Sequence, residues 1–304
     1  MPRGVFLVWM MVMALTCSAQ ARARRSPSGD QNLTIDVGGV KRTYLLHAPK
    51  TSPEGKTLPL VLIFHGGDGR ANGMPTFTHF DGLADRQGFL VAYPDGIDKH
   101  WNDTRGLSTA DDVGFIRSLI VELERTHEVD PKRVYAAGIS NGGFFSNRLA
   151  CELSDKIAAI ASVAATMPDS LVAVCKPTRP ISVLYIHGSK DPIVHIDGGV
   201  VGPNHGNSIS LAQASEFWRK WDETSDKPAL EEFPDRAGDG TTMRRELYAG
   251  GKEKTEVLVY TIIGGGHAWP GASQYLPVFI IGKASQNLDA TLTIWEFFKR
   301  HSLP

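Results

Sequence analysis

Ser140 stands between two glycines in the run AAGISNGGFF, residues 136–145, in the pattern G-x-S-x-G. A serine hydroxyl becomes a useful nucleophile only when a base takes its proton. The five-residue pattern recurs by chance, so a base, an acid and an oxyanion site must come from elsewhere in the chain. Ten histidines are available. His267, in IIGGGHAWPG, is the candidate base, because it follows an apolar run and its glycines leave the loop free to place an imidazole. His65 and His187 also close apolar runs; His65, in the HGG turn, reads as a brace for that loop, and His187 precedes the acid. The acid must orient the imidazole and stabilise its cation. Asp191 in YIHGSKDPIV is the first choice and Asp197 the alternative. Two N–H donors must face the developing oxyanion. They are assigned to the backbone of Asn141, next to the serine, and of Gly67, after LVLIFHGG.

These groups need elements that bring them together. TIDVGGVKRTYLLHAP reads as a hairpin turned at Gly38-Gly39. LPLVLIFHGG, GFLVAYPDG, RVYAAGIS, IAAIASVAA, ISVLYIHGS and TEVLVYTIIGGG are apolar runs of the kind buried on both faces of a sheet. Helical spacing marks ADDVGFIRSLIVELERTHEVD, with Val113, Ile116, Ile120 and Leu123 on one face. GGFFSNRLACEL, SISLAQASEFWRKWD and LDATLTIWEFFKRH read as further helices. Strands alternating with helices predict a mostly parallel sheet covered on both faces. Reactive groups then collect at the carboxyl ends of strands, where every candidate above falls. A strand before Ser140 and a helix after it is the context of a nucleophile elbow. The chain order Ser140, Asp191, His267 is that of α/β-hydrolases.

The 304 residues are 42% hydrophobic and 21% charged, enough for a sizeable core. A formal net charge of −1 gives no reason to expect nucleic acid or an anionic membrane surface as partner. No zinc-type Cys/His cluster, phosphate loop or dinucleotide fingerprint is present, and no metal or organic cofactor is called for. The first residues, MPRGVFLVWMMVMALTCSAQA, combine Arg3, an apolar run from Val5 to Leu15 and small residues at Ala19 and Ala21. They read as a secretory signal over residues 1–21, the apolar run being short for a membrane span and ALTC a poor match to a lipid-attachment site at Cys17. A disordered leader is expected over 22–31 and a single catalytic domain over 32–304, with no membrane association once the signal is removed. Export to the periplasm or outside the cell leaves Cys151 and Cys175, expected to form one disulfide, with two buried free thiols as the alternative.

Taken in order, LVLIFHGG, LADRQGFLVAYPDG, DDVGFI, VDPKRVYAAGISNGGFFSNRLACEL, YIHGSKDPIV and GGGHAWPG resemble the secreted esterase family of poly(3-hydroxybutyrate) depolymerases, feruloyl esterases and acetyl xylan esterases. The resemblance runs from about Leu58 to Pro270. It implies an α/β-hydrolase domain with Ser140 as nucleophile, Asp191 as acid, His267 as base, and Gly67 and Asn141 as oxyanion donors. It also implies the Cys151–Cys175 pairing. Many depolymerase-like members read HGC where this chain has Gly67, which weakens the match to the polyester branch. With the resemblance covering so much of the length, no appended carbohydrate-binding or polymer-binding module is expected.

The expected activity is carboxylic-ester hydrolysis through an acyl-enzyme, on hydroxycinnamoyl or acetyl esters of plant polysaccharide. A polyester depolymerase is the alternative within the same chemistry. A non-catalytic binding module on the same fold and a serine peptidase are the remaining readings. Trp101 and Trp269 are expected to offer aromatic faces to the substrate, and Phe144, just past the elbow, to belong to the core.

Overall fold

The computed structural model describes residues 29–50 and 56–304. The expected signal sequence, and the leader as far as residue 28, lie outside the described residues. Strands β1 (Gly29–Val37) and β2 (Val40–Ala48) pair with Val37 opposite Val40, which leaves Gly38-Gly39 as a two-residue turn. Both glycines have positive φ, 60° and 82°, as a turn matched to the strand twist requires. Gly29 already pairs with Ala48. Residues 29–31, placed in the leader by composition, are therefore part of the first strand, because the ladder with β2 satisfies their backbone.

The chain continues through β3 (Leu58–Phe64), α1 (Met74–Thr78), α2 (Phe80–Gln87), β4 (Leu90–Pro94), α3 (Asp112–Thr126), β5 (Val129–Ile139) and α4 (Asn141–Glu152). Then come β6 (Ala159–Val163), α5 (Asp169–Val172), β7 (Ser182–Gly188), a short ribbon of β8 (Gly199–Val200) with β9 (Asn207–Ser208), and α6 (Leu211–Asp222). β10 (Ala229–Phe233), β11 (Thr242–Tyr248), β12 (Val257–Ile263), α7 (Val278–Ile281) and α8 (Ala290–Phe298) complete it. The main sheet has the order β1-β2-β4-β3-β5-β6-β7-β12-β11-β10. The run from β4 to β12 is parallel, and an antiparallel hairpin closes each edge.

Both faces are covered. On one face α3, α4 and α6 bury Ile116, Leu119, Phe145, Leu149 and Trp218. On the other α2 and α8 bury Phe80, Leu83, Ile294 and Phe298. Apolar residues on successive positions of the parallel strands feed both cores, which is why those strands read as continuous hydrophobic runs. The β10–β11 hairpin is different. Its outer strand is largely exposed and carries ion pairs across the ladder, Glu231 with Arg245 and Glu232 with Arg244.

Cys151, near the end of α4, is bonded to Cys175 just beyond α5, as expected. The bond spans a sequence separation of 24. In the chain-entropy account such a closure contributes about 3 kcal/mol. Replacing both cysteines by serine should lower the urea unfolding free energy by about that amount, and adding reductant to the wild type should do the same.

Asp222 ends α6 wholly buried and accepts a hydrogen bond from the Ile181 N–H. Burial pushes its carboxyl up to about 8, although the Ile181 N–H and Lys252 pull the other way. The folded state therefore holds a proton that the unfolded chain releases near pH 3.9, and stability falls as pH rises from about 4 to about 8. Asp222→Asn should remove that slope: denaturation midpoints of variant and wild type should converge below pH 4, and the variant should be the more stable at pH 8.

Candidate active site

β5 delivers Ser140 at its carboxyl end, and α4 starts on the next residue. The two elements turn about Ser140 with φ 55° and ψ −120°, a conformation that strains a residue with a side chain. The turn is tight because Gly138 and Gly142 lack Cβ atoms. A Cβ on Gly138 would sit 2.4 Å from the Gly142 carbonyl carbon, and one on Gly142 2.4 Å from the Phe64 carbonyl oxygen at the end of β3. Ser140 N–H is held by Val163 O of β6 at 2.9 Å. Serine at a helix N-cap usually bonds the first-turn N–H groups with its side chain. Here the Ser140 side chain makes no such bond, so the hydroxyl, half-buried, is left for other work.

β7 and β12 end beside each other, two and three strands further across the sheet. Asp191 lies in the loop after β7, fully buried. Its Oδ1 accepts from the N–H groups of Ile193 and Val194 at 2.9 and 2.8 Å, and its Oδ2 meets His267 Nδ1 at 2.8 Å. Burial pushes this carboxyl up, but the His267 contact, with the Val194 N–H, outweighs it and leaves Asp191 below its usual range. A carboxylate only accepts, so Nδ1 carries the proton and Nε2 of a neutral His267 is a bare acceptor. The histidine main chain is clamped from the far side, its N–H donating to Ile281 O and its carbonyl accepting from the Tyr275 hydroxyl at 3.0 Å. Asp197, the alternative acid, is exposed, and it is Asp191 that His267 Nδ1 meets. His187 is buried beneath the same loop, with Nε2 2.9 Å from Val194 O; burial drives its pKa down and keeps it neutral. His65 bonds Gly66 O through Nδ1 and takes the Gly96 N–H on Nε2, the bracing role expected of it.

The HGG loop runs directly past the elbow: a Cβ on Gly66 would lie 3.5 Å from Ser140 Cβ. Among the described residues the N–H groups of Gly67 and Asn141 have no acceptor within the chain, so both remain free to donate.

Two expectations are corrected. Trp101 and Trp269 present no face to solvent. The Trp101 indole donates to His65 O and stacks on Phe145, and Trp269 donates to Thr291 Oγ1 and packs against Phe80. Each indole N–H has found an internal acceptor, and the rings serve as core. Phe144 is buried, as expected.

Sequence reasoning gave Asn141 a role through its backbone alone and missed its side chain. Buried Asn141 accepts the Trp101 N–H on Oδ1 at 2.7 Å and donates Nδ2 to Trp101 O and to Asp103 Oδ2 at 3.0 and 2.7 Å. Buried Asp103 pairs with Arg105 at 2.6 Å, and Arg105 lies over the Phe144 ring and donates to His205 O. One chain of polar contacts thus ties the elbow to the loop after β4 and to the ribbon β8–β9. A second cluster, Asp30, His47 and Asp81, brings three metal-type ligand atoms within 4.8 Å of one another. His47 pairs with Val91 near the amino end of β4, so this group sits at the opposite end of the sheet, and its imidazole is already bonded to Asp30.

Residues 43–203 match the family model described as Esterase PHB depolymerase. A putative esterase, NocK, of Nocardia uniformis subsp. tsuyamanensis is 34% identical over 295 residues, 90% of this chain and 84% of its own. Feruloyl esterase B of Piromyces equi is 31% identical over 86% of this chain, which spans 46% of that longer protein. An acetyl xylan esterase from Aspergillus awamori shares the fold, with a TM-score of 0.57 at 13% identity over 79% of this chain and 94% of its own. The chain belongs to the Esterase PHB depolymerase family and has the α/β-hydrolase fold.

Removing one member of a buried ion pair strands the other charge and costs about 3–5 kcal/mol. Asp103→Ala should lower stability by about that much in urea unfolding, whereas Asp197→Ala, at an exposed site, should shift it by less than about 0.5 kcal/mol.

Proposed function

We propose that this protein is a secreted serine carboxylic-ester hydrolase with Ser140 as nucleophile, His267 as base and Asp191 as acid. The observation that carries the reading is the Asp191–His267 contact. It fixes the tautomer of a histidine whose loop ends a strand of the same parallel sheet that presents Ser140 in a strained turn. Ser140 Oγ attacks the ester carbonyl carbon while His267 Nε2 takes its proton, and the carbonyl oxygen becomes an oxyanion facing the N–H groups of Gly67 and Asn141. The imidazolium gives the proton to the leaving alcohol, which departs as the carbon–oxygen bond breaks. Water then attacks the acyl-serine, losing its proton to His267, and the acid is released as Ser140 recovers the proton. Asp191 stays ionised throughout and holds the imidazolium.

Relatives named for feruloyl and acetylxylan esters support polysaccharide esters as the substrate class. The disulfide supports an oxidising compartment, in keeping with a signal over residues 1–21 and a catalytic domain in the remainder. Among the described residues no helix is long and apolar enough to cross a membrane. One feature favours the polyester reading: the segment after His267 exposes Leu276, Val278, Phe279 and Ile280, with Phe279 87% exposed. From His267 to Gly282 it carries no Asp, Glu, Lys or Arg, so it offers an apolar, uncharged rim beside the base.

Mature protein should be assayed on p-nitrophenyl acetate, methyl ferulate, acetylated xylan and a polyhydroxybutyrate film. Ser140→Ala should abolish turnover on all of them. Asp191→Asn should lower kcat by about 10³–10⁴-fold and Asp197→Asn by little. Equal effects of the two aspartate variants would remove Asp191 from the mechanism. Film clearing without methyl ferulate turnover would replace the polysaccharide reading by the polyester one.

A further inference from the structure

His100 has a placement that the mechanism above does not use. It is half-buried, in the loop after β4. A Cβ on Gly67 would lie 3.4 Å from its Nε2 and 3.5 Å from its Cδ2. The ring therefore stands over the glycine next to the one that packs on Ser140. Its neighbours on both sides are tied to the site: Lys99 O accepts the Asp68 N–H of the HGG loop, and the Trp101 N–H and carbonyl are both bonded by the Asn141 side chain. The backbone is strained to achieve this. Asp98 and Lys99 are consecutive non-glycine residues in the left-handed region, at φ 51° and 65°. Such strain persists only where surrounding contacts enforce it, and it clusters at functional sites.

The ring is oriented as well as placed. Nδ1 lies 2.9 Å from Asp98 O, and a carbonyl only accepts, so Nδ1 carries the proton. The neutral ring then has Nε2 as a bare acceptor, and among the described residues nothing donates to it. An acceptor fixed beside an oxyanion loop calls for a donor on the substrate close to the reacting ester.

We propose that His100 is a specificity-determining residue whose Nε2 accepts a hydrogen bond from a substrate hydroxyl one or two carbons from the ester. The proposal rests on Ser140 being the nucleophile. Two kinds of ester supply that chemistry: a sugar ester with a free hydroxyl on the adjacent ring carbon, and an acyl group hydroxylated at its β-carbon. The phenol of a hydroxycinnamate, separated from its carboxyl by a ring and a double bond, is too far away to serve.

The test uses the mature protein, His100→Ala and His100→Gln. Two substrate pairs differ in the hydroxyl: a monoacetylated methyl xyloside against the same ester with its free hydroxyls methylated, and methyl 3-hydroxybutyrate against methyl butyrate. p-Nitrophenyl acetate, which has no hydroxyl, reports the basal chemistry. Wild type should favour the hydroxylated member of one pair by about tenfold in kcat/KM, as expected for one hydrogen bond, and the pair affected identifies the source. His100→Ala should lose that preference and keep p-nitrophenyl acetate turnover, while the amide oxygen of His100→Gln should retain part of the preference. A wild type indifferent to the hydroxyl in both pairs overturns the proposal. So does a preference that survives in His100→Ala, or loss of p-nitrophenyl acetate turnover in both variants, which would make the role structural. A wild type inactive on p-nitrophenyl acetate would instead sink the esterase reading.

Discussion

Three backbones meet around Ser140 at separations that admit no side chain. Gly138 of β5 touches Gly142 of α4, and Gly142 touches the carbonyls that end β3. β3 also carries the HGG loop. Ser140 and the HGG loop are therefore one packed unit, and neither can shift without the other. Gly143 is also confined, facing Ser162 of β6 and Ala165 just beyond it. The positive φ at Ser140 is the strain that results, held in place by the sheet on one side and the helix on the other.

Around this unit the loops are fixed mainly by buried charge. The stretch after β4 has almost no regular structure, so its backbone groups need partners from side chains. Asp112 supplies one, accepting the Asn102 N–H while its other oxygen pairs with Arg42 of β2. Arg148 of α4 donates to Asn102 O, and Arg42 reaches Asp95 O. Asp103 and Arg105 do the same nearer the elbow. Ion pairs of this kind add little net stability over apolar packing, but their fixed directions define a loop conformation that apolar contacts would leave loose.

The sheet was legible in the sequence because parallel strands buried on both faces must be apolar throughout. The hairpin at Gly38-Gly39 was legible because glycine adopts the positive φ that both turn positions need. That Ser140, Asp191 and His267 fall at or just beyond the carboxyl ends of parallel strands was legible from the apolar runs that precede them. Less could be read where tertiary partners decide. Trp101 lies in a polar loop and Trp269 two residues past His267, yet whether an indole faces solvent depends on whether an internal acceptor lies within reach, and His65 O and Thr291 Oγ1 do. The Asn141 side chain binds residues 38 and 40 positions away, contacts that no local pattern encodes. The β10–β11 hairpin lacks a clean apolar-polar alternation because its outer strand is exposed on both faces.

That outer strand bears on how molecules of this protein meet one another. Among the described residues the main sheet ends at β10, and an open edge is a template for a strand from another copy. β10 places Glu231 and Glu232 next to each other, so each face of the edge carries one carboxylate, and both are exposed. A second copy docking antiparallel about the centre of this strand would set glutamates against glutamates, a like-charge juxtaposition that opposes pairing. The arginines that offset these charges stand on β11, one strand inward, and stay with their own molecule. The sheet thus ends in a strand that its own partner tolerates and its own duplicate repels, a guard against edge-to-edge aggregation.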